Sequence, residues 1–158
     1  MKCPSSARPI CRVADDKMIT ERRFLSQEEK EKIISKIKEY LQPRHEISFA
    51  YLHGSFAGSK TFADVDIAIY LDPDTAGHLD YEVSLEGLLE KVAGVPFDVR
   101  VINNAPPSFC YNVLRKGYPI LVRDQNARCD FQARTLDMYF DFAPFRFRYL
   151  KEALRHEM

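Results

Sequence analysis

The chain has 158 residues, of which 46% are hydrophobic, and this suits one compact domain with a single core. Its 23 basic and 23 acidic residues give a formal net charge of zero, which argues against a nucleic-acid partner. Its four cysteines show no Cys-x-x-Cys spacing, which argues against a zinc site or a disulfide framework. No apolar run is long enough to cross a membrane and no signal-peptide pattern begins the chain, so we expect a cytoplasmic protein.

The chain is predicted to consist of an N-terminal arm and one folded domain. Residues 1–20 are polar, contain prolines and show no periodicity, so we expect a flexible N-terminal arm. Residues 21–158 are expected to form a single domain. Its first element is a helix, because Ser26 and Glu29 form a capping box and apolar residues then recur at helical spacing up to Leu41.

A Gly-Ser turn follows an apolar run over residues 47–52 that predicts a strand. Gly54 lets the main chain approach a phosphate closely because it has no β-carbon, and the Ser55 hydroxyl can donate to a phosphate oxygen. Lys60 lies further along this loop. Two roles are open for it: contact with a phosphate, or a solvated surface charge. His53, just before the turn, is interpreted as a hydrogen-bonded structural residue.

Two aspartates follow the Gly-Ser turn after a spacer of eight residues. Asp64 and Asp66 would lie on one face of a strand, while Val65 and Ile67 point the other way into a core. Two carboxylates side by side repel each other and bind protons more tightly, unless a cation lies between them. Mg²⁺ is the predicted cation, because it prefers oxygen ligands and is completed by substrate phosphates and water.

A third carboxylate is found on the next predicted strand. A helix over residues 80–92, ended by Gly94, leads to a β-rich run over residues 96–102. Within this run Asp98 and Arg100 share a face. Arg100 either pairs with Asp98 or contacts a phosphate.

Three carboxylates together predict a reaction. Asp64, Asp66 and Asp98 around two Mg²⁺ ions roughly 3.5–4 Å apart would activate an attacking hydroxyl and neutralise the charge of a transferring phosphoryl group. The chemistry predicted for these catalytic and metal-binding residues is nucleotidyl transfer.

The remaining elements complete an α/β architecture. A proline pair at 106–107 opens a third helix, which Gly117 ends before a strand over residues 118–122. From Asn126 onward we expect one or two C-terminal helices, broken or bent near Pro144. The sequence thus predicts a small mixed β-sheet with helices packed against it.

Aromatic residues and arginines are concentrated in the C-terminal segment. Two interpretations are open: the aromatic side chains pack a helix pair onto the core, or they form an interface with a partner or a second subunit. The residues concerned are Phe131, Tyr139, Phe140, Phe142, Phe145, Phe147 and Tyr149, with Arg134, Arg146, Arg148 and Arg155 between and after them.

The chain resembles the minimal nucleotidyltransferases of the DNA polymerase β-like superfamily, and within them the MntA-type antitoxins of HEPN–MNT toxin–antitoxin pairs. The resemblance rests on Gly54-Ser55, on Asp64 and Asp66, and on Asp98. It continues through residues 101–109 and 113–124 and into the C-terminal segment, so that it spans roughly residues 45–150.

The resemblance implies a polymerase β-like fold and a transfer of AMP from ATP to a hydroxyl of a partner HEPN-type toxin, with a tyrosine as acceptor. It implies Mg²⁺ held by Asp64, Asp66 and Asp98, and a triphosphate bound at Gly54 and Ser55. Lys60 is a further nucleotide-binding candidate because of its place in the same loop. Two alternatives stay open: a non-catalytic antitoxin that neutralises its partner by occlusion, and an adenylyltransferase for a small molecule such as an antibiotic. The oligomeric state is not readable, although an oligomer is possible.

Overall fold

A computed structural model of the chain describes residues 21–155, so the predicted N-terminal arm, residues 1–20, lies outside the described part. Among the helices of this part, none combines the length and the apolarity needed to cross a bilayer. The elements are, in chain order, β1 (Arg23–Phe24), α1 (Gln27–Leu41), β2 (Ile47–His53), α2 (Gly54–Gly58), β3 (Thr61–Phe62), β4 (Val65–Leu71), α3 (His78–Ala93), β5 (Phe97–Val101), α4 (Pro107–Lys116), β6 (Tyr118–Val122) and α5 (Gln125–Arg155).

The main sheet has four strands in the order β5-β4-β2-β6. β2 runs antiparallel to β4 and β6, whereas β4 and β5 are parallel, so the sheet is mixed, as predicted. The starts of the parallel strands β4 and β5 lie side by side, with Asp66 opposite Asp98. The end of β2 reaches the same place, because His53 is opposite Asp66 in the antiparallel register.

Helices cover both faces of this sheet. On one face, Val65 and Ile67 are completely buried beneath α1 and α3, as the alternation along β4 predicts. On the other face, Ala68 packs in the core with Phe131 of α5. Asp66 shares the face of Ala68, because side chains two residues apart on a strand point the same way. The carboxylates therefore lie at one end of the face that α4 and α5 cover.

Some element boundaries differ from the sequence-based expectation. β4 begins at Val65, so Asp64 immediately precedes the strand instead of forming part of it; the neighbouring strand β5 begins at Phe97, opposite Val65. α3 begins at His78, two residues before Asp80. The helix ends agree better, since glycines at 94 and 117 end α3 and α4.

The start of the described part holds one predicted and one unpredicted feature. The capping box of α1 is confirmed, with the backbone N–H of Ser26 donating to Oε2 of Glu29 at 2.8 Å. The two-stranded sheet of β1 and β3 was not predicted, because two residues per strand are too few to show an alternation. Arg22 stabilises it by donating to the hydroxyl and the carbonyl oxygen of Thr61 at 3.1 and 3.0 Å.

The C-terminal segment forms one helix, α5, with Pro144 in its interior. Proline at this position cannot donate to the carbonyl four residues earlier, which is why a break or bend was expected. Beside it, Nη2 of Arg146 donates to the carbonyl oxygen of Tyr139 at 3.1 Å. The interpretation that most of the aromatic side chains pack onto the core is wrong. Phe131 is buried, but exposed fractions of 56–73% are found for Phe140, Phe142, Phe145, Phe147 and Tyr149.

The outer edge of β5 is capped by carboxylates of α3. Its outward backbone N–H groups have no neighbouring strand, and three glutamates spaced four residues apart on α3 accept their hydrogen bonds instead. The spacing places the glutamates on one helix face, parallel to the strand. The pairs are Val101 to Glu82 at 2.7 Å, Val99 to Glu86 at 2.9 Å and Phe97 to Glu90 at 3.2 Å.

The central pair of this edge gives a stability prediction. Glu86→Ala should lower the free energy of unfolding by about 1–3 kcal/mol, because the N–H of the fully buried Val99 loses its acceptor. Glu86→Gln is the matched control, since its amide oxygen can still accept. Urea denaturation measures both, and equal losses in the two variants would contradict a role for the hydrogen bond.

Candidate active site

Three carboxylates meet where β4 and β5 begin. Asp66 is the second residue of β4 and Asp98 the second residue of β5, and the parallel register sets them side by side. Asp64 comes from the turn just before β4. One carboxylate oxygen from each of the three lies within 4.8 Å of the others, and all three residues are half-buried. The expectation that Asp98 neighbours the pair is therefore met in the fold.

The electrostatics of this cluster favour a cation. The pKa of Asp66 is raised to about 6, mainly by burial and further by the negative charges of Asp64 and Asp98, while Arg100 opposes the shift. Hard carboxylate oxygens at this separation are the donor set that Mg²⁺ prefers. The three acids therefore fit such an ion, and its charge would offset both the burial and the repulsion that raise the pKa of Asp66.

Gly54 is required by the position of Asp66. Its φ of +72° lies in the left-handed region that favours glycine. A β-carbon built on Gly54 would overlap Oδ2 of Asp66 and would lie 2.8 Å from its Cγ. The sequence interpretation assigned Gly54 to a phosphate turn and missed this contact, which depends on the register between β2 and β4.

The other two nucleotide-binding candidates differ in their surroundings. Ser55 is half-buried in the first turn of α2, next to Gly54 and hence beside the acids. Lys60 is exposed two residues after α2 and lines a surface pocket with Lys30 and the start of α1, a pocket to which none of the three acids contributes. Phosphate binding by Lys60 stays a prediction.

Lys30 fixes the far end of α2, a role that the sequence did not reveal. Its Nζ donates to the carbonyl oxygens of Phe56 and Ser59 at 3.2 and 2.7 Å. It also lies 5.3 Å from the centre of the Phe56 ring. These contacts hold α2 against α1 and so restrain the turn beside the acids.

His53 borders the acids without the hydrogen bond that the sequence interpretation gave it. Its Nε2 is buried and finds no partner within residues 21–155. Burial lowers the pKa of His53, although the charges of Asp98 and Asp64 act in the opposite direction. The ring instead packs edge-on against Phe109 of α4, with centroids 5.7 Å apart. A neutral imidazole is the form that these surroundings favour.

Arg100 pairs with Asp98, which is one of the two roles expected of it. Nε of Arg100 donates to Oδ1 of Asp98 at 3.0 Å, and both side chains are more than one-third exposed. Exposed ion pairs of this kind contribute little to stability. The guanidinium adds a positive charge at the rim of the acidic cluster.

Substituting Gly54 tests the close approach to Asp66. Gly54→Ala should lower the melting temperature and weaken Mn²⁺ binding at least about tenfold, because the residue must leave its positive φ and Asp66 must move. Gly58→Ala is the matched control, since a β-carbon there meets nothing within 4 Å. Thermal unfolding and Mn²⁺ titration followed by electron paramagnetic resonance measure the two effects. Equal behaviour of both variants would contradict the steric argument.

The raised pKa of Asp66 predicts a pH-dependent stability in metal-free buffer. The folded state binds the Asp66 proton more tightly than the unfolded state, so its contribution to stability is full below the ordinary value of 3.8 and is lost as the pH rises through about 6. The free energy of unfolding of the native chain should therefore fall over this range relative to Asp66→Asn. Urea denaturation at several pH values measures the difference, with Asp130→Asn as the control. Parallel curves for native chain and Asp66→Asn would contradict the prediction.

The family was identified by comparison with known proteins. The model of the family described as Polymerase beta, Nucleotidyltransferase matches residues 35–126, which is more than half of the chain. The matched span contains the Gly-Ser turn and all three acids. No curated protein sequence matches the chain.

Several solved structures are similar to this fold. A chain from a complex of tri-AMPylated HEPN toxin of Shewanella oneidensis with MNT antitoxin has a TM-score of 0.66 at 21% identity, and the match covers 79% of this chain and 98% of that one. A chain from a toxin–antitoxin structure with AMP-PNP has a TM-score of 0.67 at 21% identity, covering 77% and 98%. A chain from the toxin–antitoxin MntA-HepT has a TM-score of 0.65 at 20% identity, covering 78% and 98%.

At this level of identity the solved structures establish the fold. The matching family model covers the strands that carry the acids, and the fold brings those acids together beside a glycine that no other residue could replace without strain. The chain belongs to the polymerase β nucleotidyltransferase family.

Proposed function

We propose that this chain is a Mg²⁺-dependent nucleotidyltransferase that transfers AMP from ATP to a tyrosine hydroxyl of a HEPN-type toxin, and that it thereby acts as an antitoxin. The observation that carries the proposal is the cluster of Asp64, Asp66 and Asp98 beside the Gly54 turn. Three half-buried carboxylates whose oxygens lie within 4.8 Å of one another are costly unless they bind cations.

In the proposed site, Asp64 and Asp66 would hold two Mg²⁺ ions and Asp98 would bind one of them. When bound, the metal would supply positive charge against the α-phosphate that is transferred and against the departing pyrophosphate. The Ser55 hydroxyl and the adjoining backbone donate to phosphate oxygens. Asp98, whose side chain is 36% exposed, accepts the proton of the incoming hydroxyl, whose oxygen bonds to the α-phosphorus of ATP while pyrophosphate leaves. Most of the rate enhancement then comes from positioning and from charge neutralisation.

Lys60 has a smaller part in the proposed site. It lies outside the acidic cluster, so we assign it a contact with the terminal phosphate only when the nucleotide is bound. Arg100, beside Asp98, can offer a second positive charge to the same phosphates. We further propose that residues 21–158 form one domain; the packing of helices on both faces of the four-stranded sheet within residues 21–155 supports this.

The proposed acceptor is a protein. The net charge of zero gives no field that would attract a nucleic acid. The similar solved structures include a tri-AMPylated HEPN toxin bound to MNT antitoxin and a toxin–antitoxin with AMP-PNP, and these support ATP as the donor and a HEPN-type toxin as the partner. The cytoplasmic location stays a prediction from the sequence.

A second candidate function is neutralisation by occlusion without catalysis. The observation that favours it is the exposed aromatic surface of α5, which is of the kind found at protein interfaces. This function would survive the loss of the acids, whereas nucleotidyl transfer would not.

Intact-mass spectrometry separates the two functions. A purified HEPN-domain toxin from the same genome is incubated with this protein, ATP and Mg²⁺, and we expect mass gains in whole AMP units. Asp64→Ala and Asp66→Ala should each reduce the rate at least about a thousandfold, because the metal ligands are lost. Asp130→Ala, an exposed acid on α5, is the matched control. Tight binding with no mass gain would overturn nucleotidyl transfer and favour occlusion.

A further inference from the structure

The outward face of α5 carries an apolar stripe that is largely exposed; one member, Phe140, also meets Tyr111 of α4 edge-on, with ring centroids 6.2 Å apart. Its members recur at alternating intervals of four and three residues, the heptad spacing of helices that pair lengthwise. Exposed fractions range from 39% to 72% among the large members. The stripe consists of Leu136, Phe140, Ala143, Phe147, Leu150 and Leu154.

Most of the stripe lies on a different side of α5 from the residues that pack on the sheet. Phe131 and Thr135 are the buried residues of α5 and mark the side that packs on the sheet. At 3.6 residues per turn, Phe147 lies about 160° around the helix from Phe131. A second molecule can therefore approach the stripe without meeting the sheet of its own chain.

The size of the stripe fits an interface. Five large apolar side chains with these exposed fractions present on the order of 500 Å² of apolar surface, which is at the upper limit for a monomer. The flanking side chains of the same helix bring the face close to the roughly 800 Å² that each partner contributes to a stable interface.

We propose that the outward face of α5 pairs with the same face of a second copy of this chain, in an antiparallel two-fold dimer. A two-fold axis requires the stripe to be complementary to itself. When a second helix runs antiparallel to the first and the axis passes at the level of residue 145, each apolar position of one stripe meets an apolar position of the other. The contacts across the axis are Leu136 with Leu154, Phe140 with Leu150, and Ala143 with Phe147.

The charges beside the stripe fit the same arrangement. Asp137 and Lys151 each follow an apolar position of the stripe on the same flank, and in the antiparallel register Asp137 faces Lys151 of the second copy twice. Within one helix these residues are about 21 Å apart and cannot pair. Neither forms an ion pair within the described residues.

The arginine nearest the two-fold axis is already engaged. The guanidinium of Arg146 lies 3.9 Å from the ring centre of its own Tyr139 and donates to the carbonyl oxygen of that residue. Its charge is therefore drawn back along its own helix, which limits repulsion between the two copies at the axis.

The dimer is independent of the proposed catalytic function, and the chain alone is enough to test it. Sedimentation velocity of the full chain up to about 100 µM should show a concentration-dependent dimer. Phe147→Asp should weaken the dimer at least about a hundredfold, because two charges enter the apolar seam. Phe145→Asp is the matched control, since Phe145 is 63% exposed on the opposite side of α5, and it should leave the dimer intact.

A charge exchange tests the register. Asp137→Lys and Lys151→Asp should each weaken the dimer by about three- to tenfold, and the double variant should restore it. A native chain that stays monomeric, a dimer that both phenylalanine variants disrupt equally, or a double variant without restored dimerisation would overturn the proposal. A monomer whose α5 binds only a different protein would overturn it as well.

Discussion

The crowding of three carboxylates at one end of the sheet is the constraint on which the site depends. Asp66 is held between Asp64, Asp98 and the backbone of Gly54, and its burial, together with the charges of Asp64 and Asp98, raises its pKa to about 6. Such an arrangement persists only if the surrounding structure prevents the acids from moving apart. The parallel pairing of β4 with β5 does this for Asp66 and Asp98, since their register fixes them side by side. A cation could then bind without first bringing the acids together.

Hydrogen bonds hold the strands β4 and β5, which carry Asp66 and Asp98, in a fixed register. The glutamates of α3 accept the outward N–H groups of β5, so the strand that carries Asp98 is hydrogen-bonded along both of its edges. At the opposite end of the strands, the side chain of Asn103 bonds both the N–H and the carbonyl of Leu71, at 2.9 and 2.7 Å. Together these bonds limit sliding of β5 along β4, which would separate the carboxylates.

The molecule divides its surface into two chemically different regions. The acids and the Gly54 turn form a small polar site whose carboxylates fit a cation, whereas the second half of α5 exposes large apolar side chains. These regions lie on the same side of the sheet, joined by α4, whose Phe109 contacts His53 and whose Tyr111 stacks on Tyr139 at 3.7 Å. Self-pairing of the outward face leaves the opposite face of α5, with Phe142 and Phe145, for another protein.

The sequence by itself determined the strand carrying Asp66 and the C-terminal ends of α3 and α4, because these depend on alternation and on glycines adjacent to those ends in the chain. The order of helices and strands along the chain indicated the mixed sheet. It also indicated the acids, since Asp64 and Asp66 form a local pair and Asp98 occurs in a second strand pattern, whereas the β4–β5 register that joins Asp98 to the pair is tertiary. Only the tertiary structure decided that Gly54 must lack a β-carbon, since that contact joins β2 to β4. It likewise decided that most of the aromatic residues of α5 are exposed. The spacing of apolar residues along a helix does not reveal whether the helix packs against the sheet over its whole length.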